Sequence, residues 1–547
     1  MKFHLPKEVG VRFTTSSFRF HPKTAVLAAL ASIAVVAVAV TAGTASGARK
    51  VNGGTLIIGM TAANIPNLDT LLAGGQGYEG DRFVGNQLYD GLTKFDLKQG
   101  TSIPKVIPDL ATSWKANATG TVWNFTLRPG VKFQDGTPWN ADAVIFNLDR
   151  YVSKEDKYTT PALQAEAAVL AGSIKSYVKT GPMSVKLTTK IPDAHLPSDL
   201  TTVYMASPTA VMKEGSAGFA SKPVGTGPFM FKSEQQGREL DLVPNPHYWD
   251  GAPKLSELIL KPIPDPSARI AAIRSGAVNW IEYPNPDDIA SLESLGFKLY
   301  TNSYDHIWPW IFDTTKPPWN DVRVRQAANY AIDRVGMATD LLKGTADPAY
   351  QVAPRANTAY SPANNLYSYD PKKAKALLAA AGYSKGFTTT VEYPTSGSGN
   401  MVPVPMNELL QQELGAVGIK VILKPIEWSA MLGQVFTGKM PAGIDAMNIS
   451  LTFQQESSWE YWFTSTSPIN IGKYKDPAVD KLIAQAQSTV SDVARAKLYE
   501  KASALITKDA AWLFVVNDRN PRVLAPTVHG FIEPKSWFVD LTNVTVS

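Results

Sequence analysis

An α/β fold is predicted by helices that begin at aspartate caps, by short apolar or alternating strands between them, and by 39 glycines and 39 prolines dispersed without any low-complexity tract. In chain order, Thr55-Leu56-Ile57-Ile58-Gly59-Met60 is apolar enough for a buried strand. Val122 to Arg128 alternates apolar and polar residues, as a half-buried strand should, and Pro129-Gly130 and Asp135-Gly136 turn the chain, so a hairpin or meander is expected over 121–138. Asn320 or Asp321 opens a helix through Val324, Ala327, Ala328, Ala331 and Ile332. Asp370-Pro371 opens another, with Ala374, Leu377, Leu378 and Ala381 on one face and Gly382 as its stop. Strands are expected at Thr389–Val391 and Ile419–Leu423. Asp476-Pro477 starts a helix with Val479, Leu482, Ile483 and Ala486 inward.

The 547 residues suffice for three or four domain-sized units, and a 44% hydrophobic composition excludes global disorder. Without cysteine, disulfides, thiol nucleophiles, thiolate-bound metals and a cysteine-linked lipid are excluded. The net charge of +5 is concentrated at the start: residues 1–24 hold Lys2, Lys7, Arg12, Arg19 and Lys23 against Glu8. An apolar run from Ala25 to Val40 follows, broken only by Ser32, and then small residues to Ala48. This is the order of a secretory signal, and the run is shorter than the roughly 20 residues of a membrane span. A retained signal-anchor is the alternative. The remainder is nearly neutral, which argues against a nucleic-acid partner.

Catalytic signatures are missing: there is no Gly-x-Ser-x-Gly, His-Glu-x-x-His or phosphate-binding Gly-x-x-x-x-Gly-Lys-Ser/Thr. Gly75-Gln76-Gly77-Tyr78-Glu79-Gly80 matches the dinucleotide pattern, but no clear strand runs directly into it, and it reads as a loop leading to a helix near 81–89. His195, His247, His306 and His529 lie far apart without metal-ligand spacing, so no metal and no cofactor is expected. Thirteen tryptophans are the one positive compositional feature, concentrated at Trp308-Pro309-Trp310 and Trp459-Glu460-Tyr461-Trp462. Such clusters either pack a core or line a cleft for an organic solute.

Specific strings narrow the choice. Pro223-Val224-Gly225-Thr226-Gly227-Pro228-Phe229 resembles the hallmark of bacterial solute-binding proteins of the peptide/nickel type, family 5. Leu88-Tyr89-Asp90-Gly91-Leu92, Pro108 to Trp114, Leu127 to Pro138, Asn245-Pro246-His247-Tyr248-Trp249, Asp321 to Ala327 and Tyr330 to Arg334 are similar to the same family in the same order. The resemblance spans residues 53–547. It implies a two-lobed flytrap with an extra subdomain in the first lobe, a ligand enclosed between lobes, and delivery to the permease of an ABC importer by a protein acting as a monomer. The division it implies is 1–48 signal or anchor, 49–90 and 223–312 first lobe, 91–222 extra subdomain, 313–505 second lobe and 506–547 a return to the first. Within the motifs, Gly225 and Gly227 are expected where a side chain would block a close approach. Asp333 and Arg334 are expected on a helix surface or between lobes.

The resemblance also bears on the ligand. Dipeptide-binding relatives hold the peptide ammonium on an aspartate after the strand that here reads Ala446 to Ser450, and the carboxylate on an arginine after the strand at 389–393. Here the first segment continues Leu451-Thr452-Phe453-Gln454-Gln455-Glu456, and Pro394 to Gly399 contains no arginine. Burying both charges of a free dipeptide without counter-charges is costly, so a neutral or singly charged organic solute, or a longer peptide held by its backbone, is expected. Nickel is disfavoured. The candidate ligand contacts are Tyr78, Trp308, Trp310, Trp428, Phe453, Gln454, Gln455, Glu456, Trp459 and Tyr461. A secreted hydrolase and a membrane-tethered sensor are the rival functions.

Overall fold

The computed structural model describes residues 53–547; the expected signal or anchor at 1–48 lies outside the described residues. Thr55–Met60 forms the middle of a seven-stranded sheet, parallel to Glu257–Pro262 on one side and Trp280–Glu282 on the other. Leu56, Ile58 and Met60, which share one face of the strand, are fully buried, while Thr55 and Ile57 on the other face are partly covered. Glu239–Pro244 and Phe229–Gln235 extend this sheet at one edge, Arg522–Leu524 and Lys298–Tyr300 at the other. This is the first lobe.

A second sheet is built around His306–Phe312, which pairs antiparallel with Trp512–Asp518 and with Ala446–Asn448. Every residue of His306–Phe312 and of Trp512–Asp518 is buried. Beyond Ala446–Asn448 lie the parallel strands Phe387–Pro394 and Ile419–Ile426, joined by the helix Pro403–Ala416. The expected division placed 306–312 and 506–547 in the first lobe. Both His306–Phe312 and Trp512–Asp518 instead pair in the second sheet, so the chain crosses between lobes one strand earlier and one strand later than expected.

A four-stranded sheet, Ala111–Ala116, Val122–Leu127, Ser184–Thr189 and Ile174–Gly181, stands apart with its own core of Trp123, Phe125, Leu127, Val144 and Leu148. The expected hairpin at 121–138 is not formed. Val122–Leu127 takes its partners from 111–116 and 184–189, because Val131 and Phe133 turn into this core and leave only the bridge between Lys132 and Pro138.

The expected caps are present. Asp321 accepts from the Arg323 amide, Asp370 from that of Lys373 and Asp476 from that of Ala478. Gly382 follows its helix at φ +91°. Ala374, Leu378, Val479, Ile483 and Ala486 are buried, while Leu377, Ala381 and Leu482 pack at the rim. Asp333 caps the turn at 334–336, but Arg334 is not on a surface. It is 1% exposed and donates to the carbonyls of Phe514, Asn329 and Tyr367, a cage of acceptors that solvates the guanidinium internally. Among the described residues no helix is long and apolar enough to cross a membrane.

Candidate functional site

The two lobes are closed on each other by direct polar contacts. The Tyr78 hydroxyl donates to Gln455 Oε1 at 3.2 Å, Gln455 Nε2 to Thr202 Oγ1 at 2.8 Å, Ser457 Oγ to Asp199 Oδ1 at 2.7 Å and the Ala194 amide to the Gln487 carbonyl at 2.8 Å. The Tyr461 hydroxyl donates to the Val169 carbonyl. Between them lies a cavity of about 140 Å³.

The glycine string at 75–80 builds one wall. Gly77 sits at φ +73°, and a Cβ there would stand 2.9 Å from Ser398 Oγ and 3.1 Å from the Trp428 ring. Its absence lets the first-lobe backbone approach the second lobe, and Trp428 Nε1 donates to the Gln76 carbonyl at 3.2 Å. Trp428 opens the helix Trp428–Phe436, and the Gly397 turn at φ +102° packs its backbone under the indole, where a Cβ would be 2.3 Å away. The short helical turns after the glycines then carry Tyr78 and Asp81 into the cavity.

Tyr78, Trp428, Tyr461 and Trp462 give the cavity aromatic walls, and Ser398, Ser450, Thr452 and Gln455 add polar groups. Asp81 and Glu166 face the same space from the first lobe and the extra subdomain. Neither carboxylate is hydrogen-bonded or ion-paired among the described residues. Burial pushes Asp81 up to about 8, with the Glu166 charge adding to the effect, and burial alone takes Glu166 up to about 7. Trp537, 1% exposed, also lines the cavity, and its indole N–H has no partner among the described residues.

Of the residues expected from sequence, Tyr78, Trp428, Gln455 and Tyr461 meet at this cavity. Phe453, Gln454, Glu456 and Trp459 face a larger cavity of about 910 Å³ on the other side of the same segment. There Glu456 is ion-paired with Arg495, and Gln454 Oε1 accepts from the Trp537 amide at 2.9 Å while its amide bonds Ser536 Oγ at 2.7 Å. Phe453 and Trp459 stack at 4.6 Å within the second-lobe core. Trp308 and Trp310 line neither cavity. They lie on the central strand of the second sheet, fully buried, with Trp310 Nε1 donating to Asn407 Oδ1 at 2.8 Å. Sequence reasoning missed Asp81, Glu166 and Trp537. Asp81 directly follows the glycine string and was open to notice; Glu166, in an alanine-rich helix, and Trp537, near the chain end, carry no local mark.

Two sheets, a separate four-stranded subdomain and a cavity at the lobe junction are the architecture of a two-lobed solute-binding protein. Residues 105–469 match the family described as bacterial extracellular solute-binding proteins, family 5 Middle, and the chain belongs to that family. Heme-binding protein A of Haemophilus influenzae is 29% identical over 483 residues, covering 84% of this chain and 87% of that protein. Glutathione-binding protein GsiB of Pectobacterium atrosepticum is 30% identical over 483 residues, covering 84% and 90%. The solved structure of the ABC transporter-associated periplasmic binding protein DppA of Helicobacter pylori, in complex with the peptide STSA, shares the fold with a TM-score of 0.77 at 24% identity, covering 91% of this chain and 99% of that one. This chain is therefore a solute-binding protein of that family.

Proposed function

We propose that the solute held between the lobes is a small organic molecule with an apolar or aromatic body and one cationic end. The observation that carries this is the pair Asp81 and Glu166, two carboxylates without a protein counter-charge that face a cavity otherwise walled by aromatic rings. A buried carboxylate is stabilised in its charged form only by an opposite charge or hydrogen bonds, and an ammonium or guanidinium group supplies both. Aromatic faces favour a cation as well as an apolar body. The closed cavity of about 140 Å³ is close to the volume of roughly 150 Å³ that accommodates benzene in an engineered protein cavity. Relatives are named for heme, glutathione and peptides, so membership alone leaves the ligand open. Glu456, expected to serve the ligand, is already neutralised by Arg495, which supports placing the charge recognition at Asp81 instead.

The ligand stabilises the closed form because it touches both lobes only there, and the closed form presents it to the permease. The same reading makes the protein a binder that returns its solute unchanged, working as a monomer outside the cytoplasm, either released after cleavage or tethered by residues 25–40. Mass analysis of the solute recovered by gentle extraction tests the assignment: a molecule with one basic group supports it, and a free zwitterionic dipeptide or an anion overturns it. N-terminal sequencing of the exported form decides between release and tethering.

A further inference from the structure

At a separate point of the lobe junction, three acidic side chains surround one histidine. His195 Nδ1 lies 2.9 Å from Asp199 Oδ2 and 3.1 Å from Asp193 Oδ1, and its Nε2 lies 2.5 Å from Glu460 Oε1. Asp193, His195 and Asp199 flank one short helical turn of the extra subdomain, while Glu460 comes from the helix Ser458–Phe463 of the second lobe. The side chains are 2%, 4%, 7% and 15% exposed. No lysine or arginine among the described residues pairs with any of the three carboxylates, so even an imidazolium would leave two buried negative charges uncompensated. Asp193 is the sharpest anomaly. Among the described residues its Oδ2 is buried without any partner, and its Oδ1 has only the His195 ring at 3.1 Å.

We infer that Asp193, His195 and Asp199 form a binding site for a divalent first-row transition-metal ion. One oxygen from each aspartate and Nδ1 of the histidine all lie within 4.8 Å of one another. The distances of 2.9 and 3.1 Å from Nδ1 match the roughly 3 Å between neighbouring ligands about 2.1 Å from an octahedral ion, and a tetrahedral ion would spread them to about 3.4 Å. Glu460 then takes the Nε2–H, which fixes the tautomer that leaves Nδ1 free to coordinate, the carboxylate–histidine arrangement that orients metal-binding imidazoles. One imidazole with two carboxylates suits Mn²⁺, Co²⁺, Ni²⁺ or Zn²⁺. His195 also lines the cavity of about 910 Å³, which gives an ion a route in. The site uses none of the residues at the proposed solute cavity.

The test is calorimetric titration of the full chain, dialysed against a chelator, with Zn²⁺ and Mn²⁺, together with the visible absorption of added Co²⁺. One equivalent is expected to bind, with a Co²⁺ band that is absent in His195→Gln. Asp193→Asn and Glu460→Gln are expected to weaken binding by at least tenfold while their unfolding midpoints in chelator stay within a few degrees of the parent. Absence of uptake of all three ions overturns the proposal. So does uptake of equal affinity by Asp193→Asn and His195→Gln, which would place the ion elsewhere.

Discussion

The Tyr78 hydroxyl donates to Gln455 Oε1 at 3.2 Å, and the Nε2 of the same amide donates to Thr202 Oγ1 at 2.8 Å, so one second-lobe side chain is gripped at both ends by the rest of the molecule. Tyr78 also keeps its ring 5.2 Å from Trp537, so removing only the hydroxyl leaves the packing in place. Tyr78→Phe is expected to cost closure about 1 kcal/mol, roughly a fivefold weaker solute affinity, with the unfolding midpoint unchanged. Gln455→Ala loses both bonds and is expected to weaken binding further. Tryptophan fluorescence titration with the extracted solute measures both, and an unchanged affinity in Gln455→Ala would mean that this amide does not support the closed form.

Gly227 shows a tighter constraint. A Cβ at this position would lie 2.4 Å from the Leu88 carbonyl carbon and 2.5 Å from the Tyr89 nitrogen, both backbone atoms that cannot rotate away. Gly227→Ala is therefore expected to destabilise by about 3 kcal/mol or more. Gly136→Ala is the contrast: φ is +83° but a Cβ meets nothing within 4 Å, so only the left-handed backbone cost of about 1 kcal/mol applies. Urea unfolding of the two variants side by side measures the difference.

The glycines of the 223–229 motif also show what the chain reveals before folding. Gly225 and Gly227 stood out because the motif repeats small residues where bulk is forbidden, and the close approach to Leu88 is the physical reason. The helices at 371–380 and 477–487 were equally legible, since Asp-Pro caps act over three residues. The lobe crossings were not, because sheet membership of 306–312 and 512–518 is decided by pairing between strands some 200 residues apart. The site was legible in half measure. Trp308 and Trp310 look like cleft residues by composition, and only packing reveals them as core. His195 has no metal-ligand spacing with the other histidines, and only folding brings Glu460, 265 residues beyond it, against the ring.

The carboxylates at the cavity give a pH dependence with a definite sign. Asp81 moves from 3.8 to about 8 and Glu166 from 4.5 to about 7 on folding, so the native form holds protons that the unfolded chain releases. Stability of the ligand-free protein therefore falls as pH rises from about 4 to 8, and the contribution is flat outside that window. A cation prefers the ionised pair, so its affinity is expected to rise between pH 6 and 8 and then level off. A quaternary ammonium probe has no proton of its own to lose, which isolates the protein groups. In Asp81→Asn the upper part of the rise is expected to vanish; calorimetry across the range measures it, and a flat profile for the parent protein would remove Asp81 and Glu166 from the site.

Beneath the cavity wall, charge is buried far more deeply. Glu282 Oε2 lies 2.7 Å from Arg82 Nη2 and its Oε1 lies 3.2 Å from Arg522 Nε, with all three side chains fully buried. Arg82 belongs to the same helical segment as Tyr78 and Asp81, so this network holds that segment against the first sheet. Glu282→Gln keeps the shape but removes the carboxylate paired with both guanidiniums, leaving Glu533, 3.3 Å from Arg522, and the more distant buried Glu79 to balance them. The expected cost is about 3–5 kcal/mol, because an uncompensated buried charge loses far more than the net worth of the pair. Added salt is expected to recover little of it, since ions do not reach the site. Glu257→Gln, which breaks the exposed pair with Lys232, is expected to cost far less under the same conditions, because solvent already screens that pair. Guanidinium-free unfolding, by heat or urea, compares the two variants at low and high salt; equal losses would mean that burial of the Glu282 network carries no more stability than a surface pair.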